Sequence, residues 1–413
     1  MEEELIPNVT PANWVKSDSI IKVIGVGGGG CNAVNNMFRQ KIEGCSFIVC
    51  NTDSQALAKS PVPVKIQMGL GLGAGTDPAK GRNAAIEAQD EIARVAMDDD
   101  TKMLFITAGM GGGTGTGAAP VIAKMAKERG ILTVAVVTLP FKTDGDKALE
   151  RAIDGIHELE LNVDSLLIIN NQKLYAVYGD LLIHEALPRA DEVITTAVRS
   201  IVEIIKKEGY INVDFEDVKT MMRNSGMALM GIGEGHGKKR IEDAVKSAFE
   251  SPLLNDFDLK TAKNVLINIT VASSEKGIKM DEMNHLNSLI DDYTGGANNF
   301  KRGLIYNDSP EADDTIRITA IATGYKFNKL LGPDVKKGNL IVIDREFVFE
   351  DSNIVASADL EDIQEERHIG FNIKENSRTF HFDPEVTPKL LVREGQDLSD
   401  LENTPAIRRI QKK

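Results

Sequence analysis

The 413-residue sequence is poor in the residues that build several common kinds of site. It has three cysteines, Cys31, Cys45 and Cys50, none at C-x-x-C spacing. That argues against a disulfide framework or a thiolate zinc site and suits a reducing cytoplasm. Six scattered histidines and the lack of H-E-x-x-H leave metal catalysis without ligands, so no protein-held metal is expected. Aromatic residues make up 5%, with Trp14 the only tryptophan, and this residue reads as structural or incidental. No run of some 18 apolar residues occurs, so direct membrane insertion is not expected. The start, MEEELIPNVT, is acidic and lacks the cationic flank and apolar core of a secretory signal. Positive charge is in deficit: 48 Lys+Arg against 62 Asp+Glu give −14. A nucleic-acid partner needs a basic face, so none is expected. The Walker sequence G-x-x-x-x-G-K-[ST] and the protein-kinase motif set are also missing.

Apolar residues are 42%, enough for a core, and the length suits two to three domains. Glycine, at 36 residues, is only slightly abundant, but its placement is not random. Three clusters lie before residue 120: Gly25 to Gly30, Gly69 to Gly75 and Gly109 to Gly117. The first follows the apolar run Ile20 to Ile24 and precedes helical pattern from Asn32 to Gln40. The third follows Met103 to Thr107 and precedes helical pattern from Ala118 to Arg129. Strand, glycine turn, helix is a phosphate-binding arrangement, because glycine admits the anion to the backbone and to the free N–H groups of the helix start.

Further strands are expected at Phe47 to Cys50, Ile131 to Val137 and Ser165 to Ile169, and helices at Asp144 to Leu161 and Arg189 to Lys207. This alternation predicts an α/β fold with a parallel sheet covered on both faces. After a loop-like stretch from Gly226 to Gly237 comes a smaller α+β domain. It has helices at Ile241 to Phe249 and Asp281 to Asp292, and strands at Asn264 to Val271, Gly303 to Tyr306 and Thr315 to Thr323. Residues 331–413 hold 12 Lys+Arg and 17 Asp+Glu, and predict a largely disordered acidic tail with β-like patches at Leu340 to Ile343 and Glu346 to Phe349. It ends in a basic stub, Ala406 to Lys413.

Two chemistries compete for the first cluster. Gly25-Val26-Gly27-Gly28-Gly29-Gly30 satisfies G-x-G-x-x-G, with Asp53 placed 23 residues beyond Gly30 where a ribose-binding acid belongs, so an NAD-dependent Rossmann dehydrogenase is one alternative. The third, richer cluster has no evident use in such an enzyme. Two loops of this kind suit one nucleotide whose several phosphates are held from two sides.

The third cluster decides between them by resemblance. Gly111 to Gly117 reads GGGTGTG and is similar to the signature loop of the tubulin superfamily. From about Ile20 to Tyr325 the chain resembles the FtsZ family of bacterial cell-division GTPases, in IKVIGVGGGG (21–30), CNTDSQAL (50–57), GLGAGTDPAKGR (71–82), GILTVAVVT (130–138), NVDFEDV (212–218) and SPLL (251–254). Pro405 to Arg409 is similar to that family's C-terminal partner-binding peptide.

The resemblance implies a parallel-sheet GTP-binding domain joined by a long central helix to the smaller α+β domain. Its implied segments are 1–19 flexible, 20–188 GTP-binding, 189–224 central helix and synergy loop, 225–325 the α+β domain, 326–399 an acidic linker and 400–413 the partner peptide. It implies GTP contacts at Gly28, Gly29, Gly30, Cys31, Asn32, Ala74, Gly75, Gly111, Gly112, Gly113, Thr114, Gly115, Thr116, Gly117, Asp144, Asn171 and Asp191, the last two at the guanine. It also implies Mg²⁺ bound through the phosphates. Asn212, Asp214 and Asp217 correspond to the synergy loop, which enters the nucleotide site of the next subunit and there orients the attacking water. On the residues alone, this segment reads equally well as a capped turn. The implied activity is conversion of GTP to GDP and phosphate within head-to-tail filaments. Those filaments form a contractile ring at midcell in the cytoplasm, tethered to the membrane by division proteins bound to the C-terminal peptide. A nucleotide-binding partner without catalysis is the third class.

Four positions depart from the family pattern. Cys31 replaces a glycine and is small enough to be tolerated there, although oxidation or alkylation of its thiol would offer a way to block the site; like the other two cysteines it reads as structural or incidental. Asp144 replaces the ribose-contacting glutamate. Ala148 stands where the family has an arginine, with Lys147 and Arg151 as substitutes. Leu187 replaces a frequent aromatic beside the base.

Overall fold

Apolar runs bounded by glycine and polar turns become the strands of one ten-stranded sheet, in the order β3-β2-β1-β4-β5-β6-β7-β10-β8-β9. The computed structural model describes residues 19–173, 182–207, 209–250, 262–272, 277–296, 299–306, 314–324, 371–374 and 377–380; for 183–188, 190 and the last two stretches it describes the backbone alone. Trp14, the 251–254 motif, the β-like patches at 340–349 and the stub at 405–413 lie outside these residues.

The parallel part comprises β1 (Ile21–Val26), β2 (Ser46–Asn51), β3 (Lys65–Gln67), β4 (Met103–Gly109), β5 (Leu132–Leu139) and β6 (Ser165–Asn170). β1 is buried along its whole length, as a strand covered on both faces must be. Even Lys22 is buried there, its ammonium held by Asp98 Oδ2 at 2.7 Å and Val95 O at 2.9 Å. The helices are α1 (Gly27–Arg39), α2 (Ser54–Lys59), α3 (Pro78–Glu87), α4 (Gln89–Ala96), α5 (Thr114–Glu128), α6 (Asp146–Asn162) and the long α7 (Ile183–Lys206). α2, α3 and α4 were not foreseen from the sequence. Asp53 and Asp77 start the first two as N-caps, and Pro78 at the first turn of α3 suits a helix start.

The antiparallel part adds α8 (Phe215–Met222), β7 (Gly226–His236), α9 (Arg240–Phe249), β8 (Asn264–Val271), α10 (Met280–Thr294), β9 (Asn299–Tyr306) and β10 (Thr315–Thr323). β10 runs antiparallel to β7 and β8, while β8 pairs parallel with β9. The expectation of a loop at Gly226 to Gly237 is wrong: eleven of these residues form β7. Its glycines mark close backbone approach rather than a turn. A Cβ at Gly233 would overlap the carbonyl oxygen of Ala244, and one at Gly235 that of Arg240, so their absence lets α9 lie against the strand.

Among the described residues, one hydrophobic core gathers around Ile21, Met37, Phe105, Val136 and Ile201, and another around Leu229, Val245, Phe249, Ile267, Leu286 and Ile318. Residues 329–413 cluster as a separate unit. Its described residues pair as an antiparallel hairpin, β11 (Phe371–Lys374) with β12 (Ser377–Phe380), inside a segment expected to lack structure.

Candidate functional site

β1 passes into α1 without a linker, because Gly27 turns the chain at φ +71°. The helix therefore begins five residues before Asn32, and the glycines themselves form its first turn. They divide by role. A Cβ at Gly30 would overlap the carbonyl oxygen of Thr107, whose hydroxyl donates to Gly30 O at 3.1 Å, so Gly30 packs the turn against β4. Gly28 meets nothing, and Gly28, Gly29 and Asn32 are exposed. Val26, the N-cap, offers no side-chain acceptor to the first-turn N–H groups.

α5 starts the same way, with Gly113 as an N-cap that has no side chain to lend. The two helix starts adjoin: a Cβ at Gly27 would lie 2.9 Å from the nitrogen of Gly115. Two uncapped, partially positive helix ends thus face one region, an arrangement that favours an anion. The second cluster closes onto it. Gly71, Gly73 and Gly75 all have positive φ, Gly73 donates to Thr52 O at 2.8 Å, and Gly113 donates to Gly75 O at 3.0 Å. The hydroxyls of Thr52 and Thr114 meet at 2.7 Å.

Within the third cluster, Gly113, Gly115 and Gly117 are packing glycines. Side chains there would strike Gly75 and Asp77, Gly109, and Pro78 respectively. Gly112 faces open space. Thr116 is buried, and its hydroxyl accepts the Gly111 N–H at 2.8 Å. Ala74 is buried and Gly75 exposed.

Cys31 lies beneath the turn, closed off from solvent. It is 5% exposed, and its thiol donates towards Gly25 O at 3.5 Å and Cys50 O at 3.6 Å. Burial pushes its pKa up to about 12, so it is an inert thiol, a tolerated structural cysteine rather than a point at which oxidation or alkylation blocks the site. Asp53, the ribose acid of the dehydrogenase alternative, has its carboxylate engaged as the α2 cap, accepting from Gln55 N at 2.9 Å and Ala56 N at 3.1 Å.

Asp144 is exposed and accepts the Phe141 N–H at 2.9 Å, closing a short 3₁₀ turn. Lys142 of that turn donates its N–H to Gln172 Oε1 at 3.1 Å, which fixes the turn beside Asn171. Asn171 has a buried Oδ1 with no hydrogen-bond partner among the described residues. Asp191, on α7, is half-buried, and burial pushes its pKa up to about 6. A carboxylate short of partners is suited to the paired N–H donors of a guanine edge. Leu187 has no described side chain. Of the two substitutes for the missing arginine, Lys147 is exposed, whereas Arg151 Nε donates to Gly111 O at 2.8 Å. The fixed geometry of Arg151 was beyond sequence reasoning; its i,i+4 spacing to Gly155, the glycine at which α6 meets α5, was the available signal.

Asn212, Asp214 and Asp217 stand at the opposite edge of the sheet. Gly44, between α1 and β2, lies against Lys206 at the end of α7, and Ser19, just before β1, donates to Gly44 O at 2.8 Å. Asp164, just before β6, accepts the N–H of Gly226 on its carbonyl at 3.0 Å and that of Asn224 on its carboxylate at 3.3 Å. These contacts put the end of α7 and the α8 segment at the N-terminal ends of the parallel strands, whereas the glycine junctions are at their C-terminal ends. The 24 residues of α7 span about 36 Å.

At that edge the capped-turn reading is correct as far as it goes. Asp214 caps α8, accepting from Asp217 N at 2.8 Å, and Asp217 Oδ2 receives Asp214 N at 3.4 Å. Asn212 Oδ1 accepts from Gly209 N at 2.7 Å. Ile211 bridges to Leu304 of β9, and Val213 anchors in the core. Lys301 Nζ lies 2.7 Å from Asp217 Oδ1, and that bond chiefly raises the lysine's pKa. Among the described residues, no group of three or more His, Cys, Asp or Glu is arranged to hold a metal, and no helix is long and apolar enough to cross a membrane.

Convergent glycine junctions, uncapped helix starts and an acceptor pair suited to a base are the features of an α/β nucleotide-binding protein, with backbone N–H groups suited to phosphates. Comparison with known proteins narrows this. The family model for the "Tubulin/FtsZ family, GTPase domain" matches residues 20–179, and that for the "FtsZ family, C-terminal domain" matches 226–326. Cell division protein FtsZ of Porphyromonas gingivalis is 43% identical over 333 residues, covering 79% of this chain and 71% of that protein. FtsZ of Pseudomonas putida is 45% identical over 326 residues, covering 78% and 79%. A solved "FtsZ dimer, empty" from M. jannaschii superposes with a TM-score of 0.68 at 37% identity, covering 76% of this chain and 95% of that one. The chain belongs to the Tubulin/FtsZ family and is an FtsZ-type GTPase of cell division.

Proposed function

We propose that this GTPase polymerises head-to-tail and that its hydrolytic site is completed across the contact between two copies. The observation that carries this is the separation of the two half-sites on opposite edges of one sheet. The phosphate cradle has no carboxylate in its glycine junctions. Asn212, Asp214 and Asp217 are a sheet-length away, beyond reach of the same chain's nucleotide. A contact of one copy's cradle edge with the next copy's α8 edge joins unlike surfaces, does not close, and extends into a filament. Both edges present apolar groups suited to it: Leu70 (82% exposed) and Leu72 (81% exposed) on the second glycine loop, and Tyr210 (77% exposed) beside Asn212. The solved relative described as an FtsZ dimer accords with self-association.

In this reading Gly28, Gly29, Asn32, Gly112 and the N–H groups of the α5 turn take the phosphates. Asn171 and Asp191 read the guanine, and Asp144 closes the ribose side. Asn212 positions the attacking water while Asp214 and Asp217 polarise it. Mg²⁺ would be carried by the phosphates themselves, with the neutral hydroxyls of Thr52 and Thr114 the protein oxygens fit for its surroundings; the ion would neutralise phosphate charge. Residues 20–188 serve as the GTP-binding domain, 189–224 as the connecting helix and synergy loop, and 225–325 as the second domain. Residues 326–399 are a linker to the partner peptide at 400–413, which recruits membrane-tethering and regulatory division proteins to a cytoplasmic ring at midcell.

Sedimentation with GTP or GDP, with phosphate release followed in the same tube, tests this. Assembly is expected with GTP, and turnover per subunit should rise with protein concentration, because two copies make one site. Turnover per subunit that is constant across concentrations would refute the shared site.

A further inference from the structure

α6 meets the signature loop through three positions one turn apart on one face. Gly155 lets the helix touch α5, since a Cβ there would overlap Thr116 Cγ2 and lie 2.8 Å from Met110 Cε. Ala148 is buried, and its carbonyl oxygen would be 2.8 Å from a Cβ on Gly111. Between them Arg151, half-buried, donates from Nε to Gly111 O at 2.8 Å. Gly111 is at φ +100°, and its own N–H is taken by the Thr116 hydroxyl at 2.8 Å. The two peptides that flank Gly111 are therefore both fixed by side chains.

The second of these peptides matters for the anion. It is trans, so its C=O and the following N–H point in opposite directions. With the Gly111 carbonyl drawn back to Arg151, the Gly112 N–H is aimed away from α6. Gly112 is exposed and bordered by open space. A guanidinium bound to the carbonyl also polarises the peptide and strengthens its N–H as a donor.

We infer that Arg151 is a positioning residue for GTP binding: it sets the Gly111–Gly112 peptide so that the Gly112 N–H faces the phosphates. It takes over, from behind the loop, a cationic role that the family pattern places at Ala148. This rests on the reading of the glycine junctions as the phosphate cradle. The required comparison is GDP against guanosine, because only the former depends on the cradle.

The test measures both ligands by calorimetry on the full chain, wild type, R151M and R151K, with thermal midpoints of the unliganded proteins. Wild type should prefer GDP strongly; no preference would refute the cradle itself. R151M keeps the methylenes and loses the donor, so its GDP affinity should fall on the order of tenfold with guanosine affinity unchanged. An equal fall for both ligands, or no fall for GDP, overturns the inference while leaving the cradle standing. R151K retains charge without the planar fork, and its GDP-to-guanosine ratio should fall by a smaller factor of about three. If R151M does not fold, R151K decides alone, and an unchanged ratio overturns the inference.

Discussion

Replacing Asp214 separates its observed part, the cap of α8, from the catalytic part proposed for it. Its carboxylate caps α8, accepting the Asp217 N–H at 2.8 Å. Asparagine caps a helix as well as aspartate, whereas alanine loses about 1 kcal/mol at such a position. In a folded unit of this size that loss lowers the thermal midpoint by only about 1.5 °C. D214A should therefore melt slightly lower than wild type, and D214N at the wild-type temperature. Turnover should not follow stability. Both variants remove the charge that polarises water, so phosphate release should fall by about 10² or more in each. GTP binding should be unaffected, since the residue is on the far edge from the cradle. D214N that melts normally and still hydrolyses within a few-fold of wild type would refute the assignment.

A mixture completes this test. G115A places a methyl group against the Gly109 carbonyl oxygen and so damages the cradle while leaving the α8 edge intact. D214N has the reverse defect. Alone, each should be inactive. Mixed in equal amounts with random incorporation, about a quarter of contacts pair an intact cradle with an intact α8 edge. Phosphate release should recover towards that fraction. Mixtures no better than the sum of their parts would mean that no site is shared.

Asp191 should impose a pH step on nucleotide affinity: its carboxyl is pushed up to about 6, so GDP binding measured by calorimetry should weaken below that pH by about tenfold per unit, with proton release on binding. For the unliganded chain the sign reverses. A raised folded-state value contributes stability below the ordinary value of 3.8, lost as pH rises through about 6, and D191N should abolish both steps. Gly117 and Gly112 should separate packing from binding. G117A, whose Cβ would overlap Pro78 O, should cost about 2 kcal/mol or more in denaturant melts, whereas G112A should melt normally and bind GTP less tightly. Native Cys31, with its thiol pushed up to about 12, should resist alkylation at pH 8, where only about one molecule in 10⁴ carries the thiolate. Mass-spectrometric labelling faster than global unfolding would contradict its burial.

The parallel strands were legible because burial on both faces writes a continuous apolar run, as in Ile131 to Val137. β7 was not, since its glycines at 226, 231, 233 and 235 suggest a turn when read locally. Only the backbone of α9, the next helix folded back against the strand, explains Gly233 and Gly235. The same limit applied inside the site. GGGTGTG points to a phosphate loop, but the division into packing glycines (Gly113, Gly115, Gly117) and one open glycine (Gly112) depends on Gly75, Pro78 and Gly109 around them. Cys31 was assigned to the nucleotide by its place in a motif, and its side chain turned out to face Gly25 and Cys50. Asp53 was legible as an acid after β2, but its partners, two N–H groups of its own helix, decide against a ribose.

The placement of the carboxylates has an electrostatic reason. The cradle meets a polyanion with neutral N–H groups and helix ends, and its glycine junctions carry neither Asp nor Glu. A carboxylate about 4 Å from a phosphate oxygen costs on the order of 4 kcal/mol per charge pair at the effective dielectric of a protein surface, about a thousandfold in affinity. Were Asp214 and Asp217 beside the cradle of their own chain, every subunit would bear that cost before any chemistry was needed. On the opposite edge they are expected to leave the lone subunit's affinity for GTP intact, and in the proposed filament the repulsion arises only when two copies meet. There Lys301, 2.7 Å from Asp217, and a cation on the phosphates oppose it. The repulsion is largest while the γ-phosphate is present and falls once it leaves. In the proposed filament the contact that completes hydrolysis is thereby separated from the one that binds the nucleotide, and a net charge of −14 should make their balance sensitive to salt.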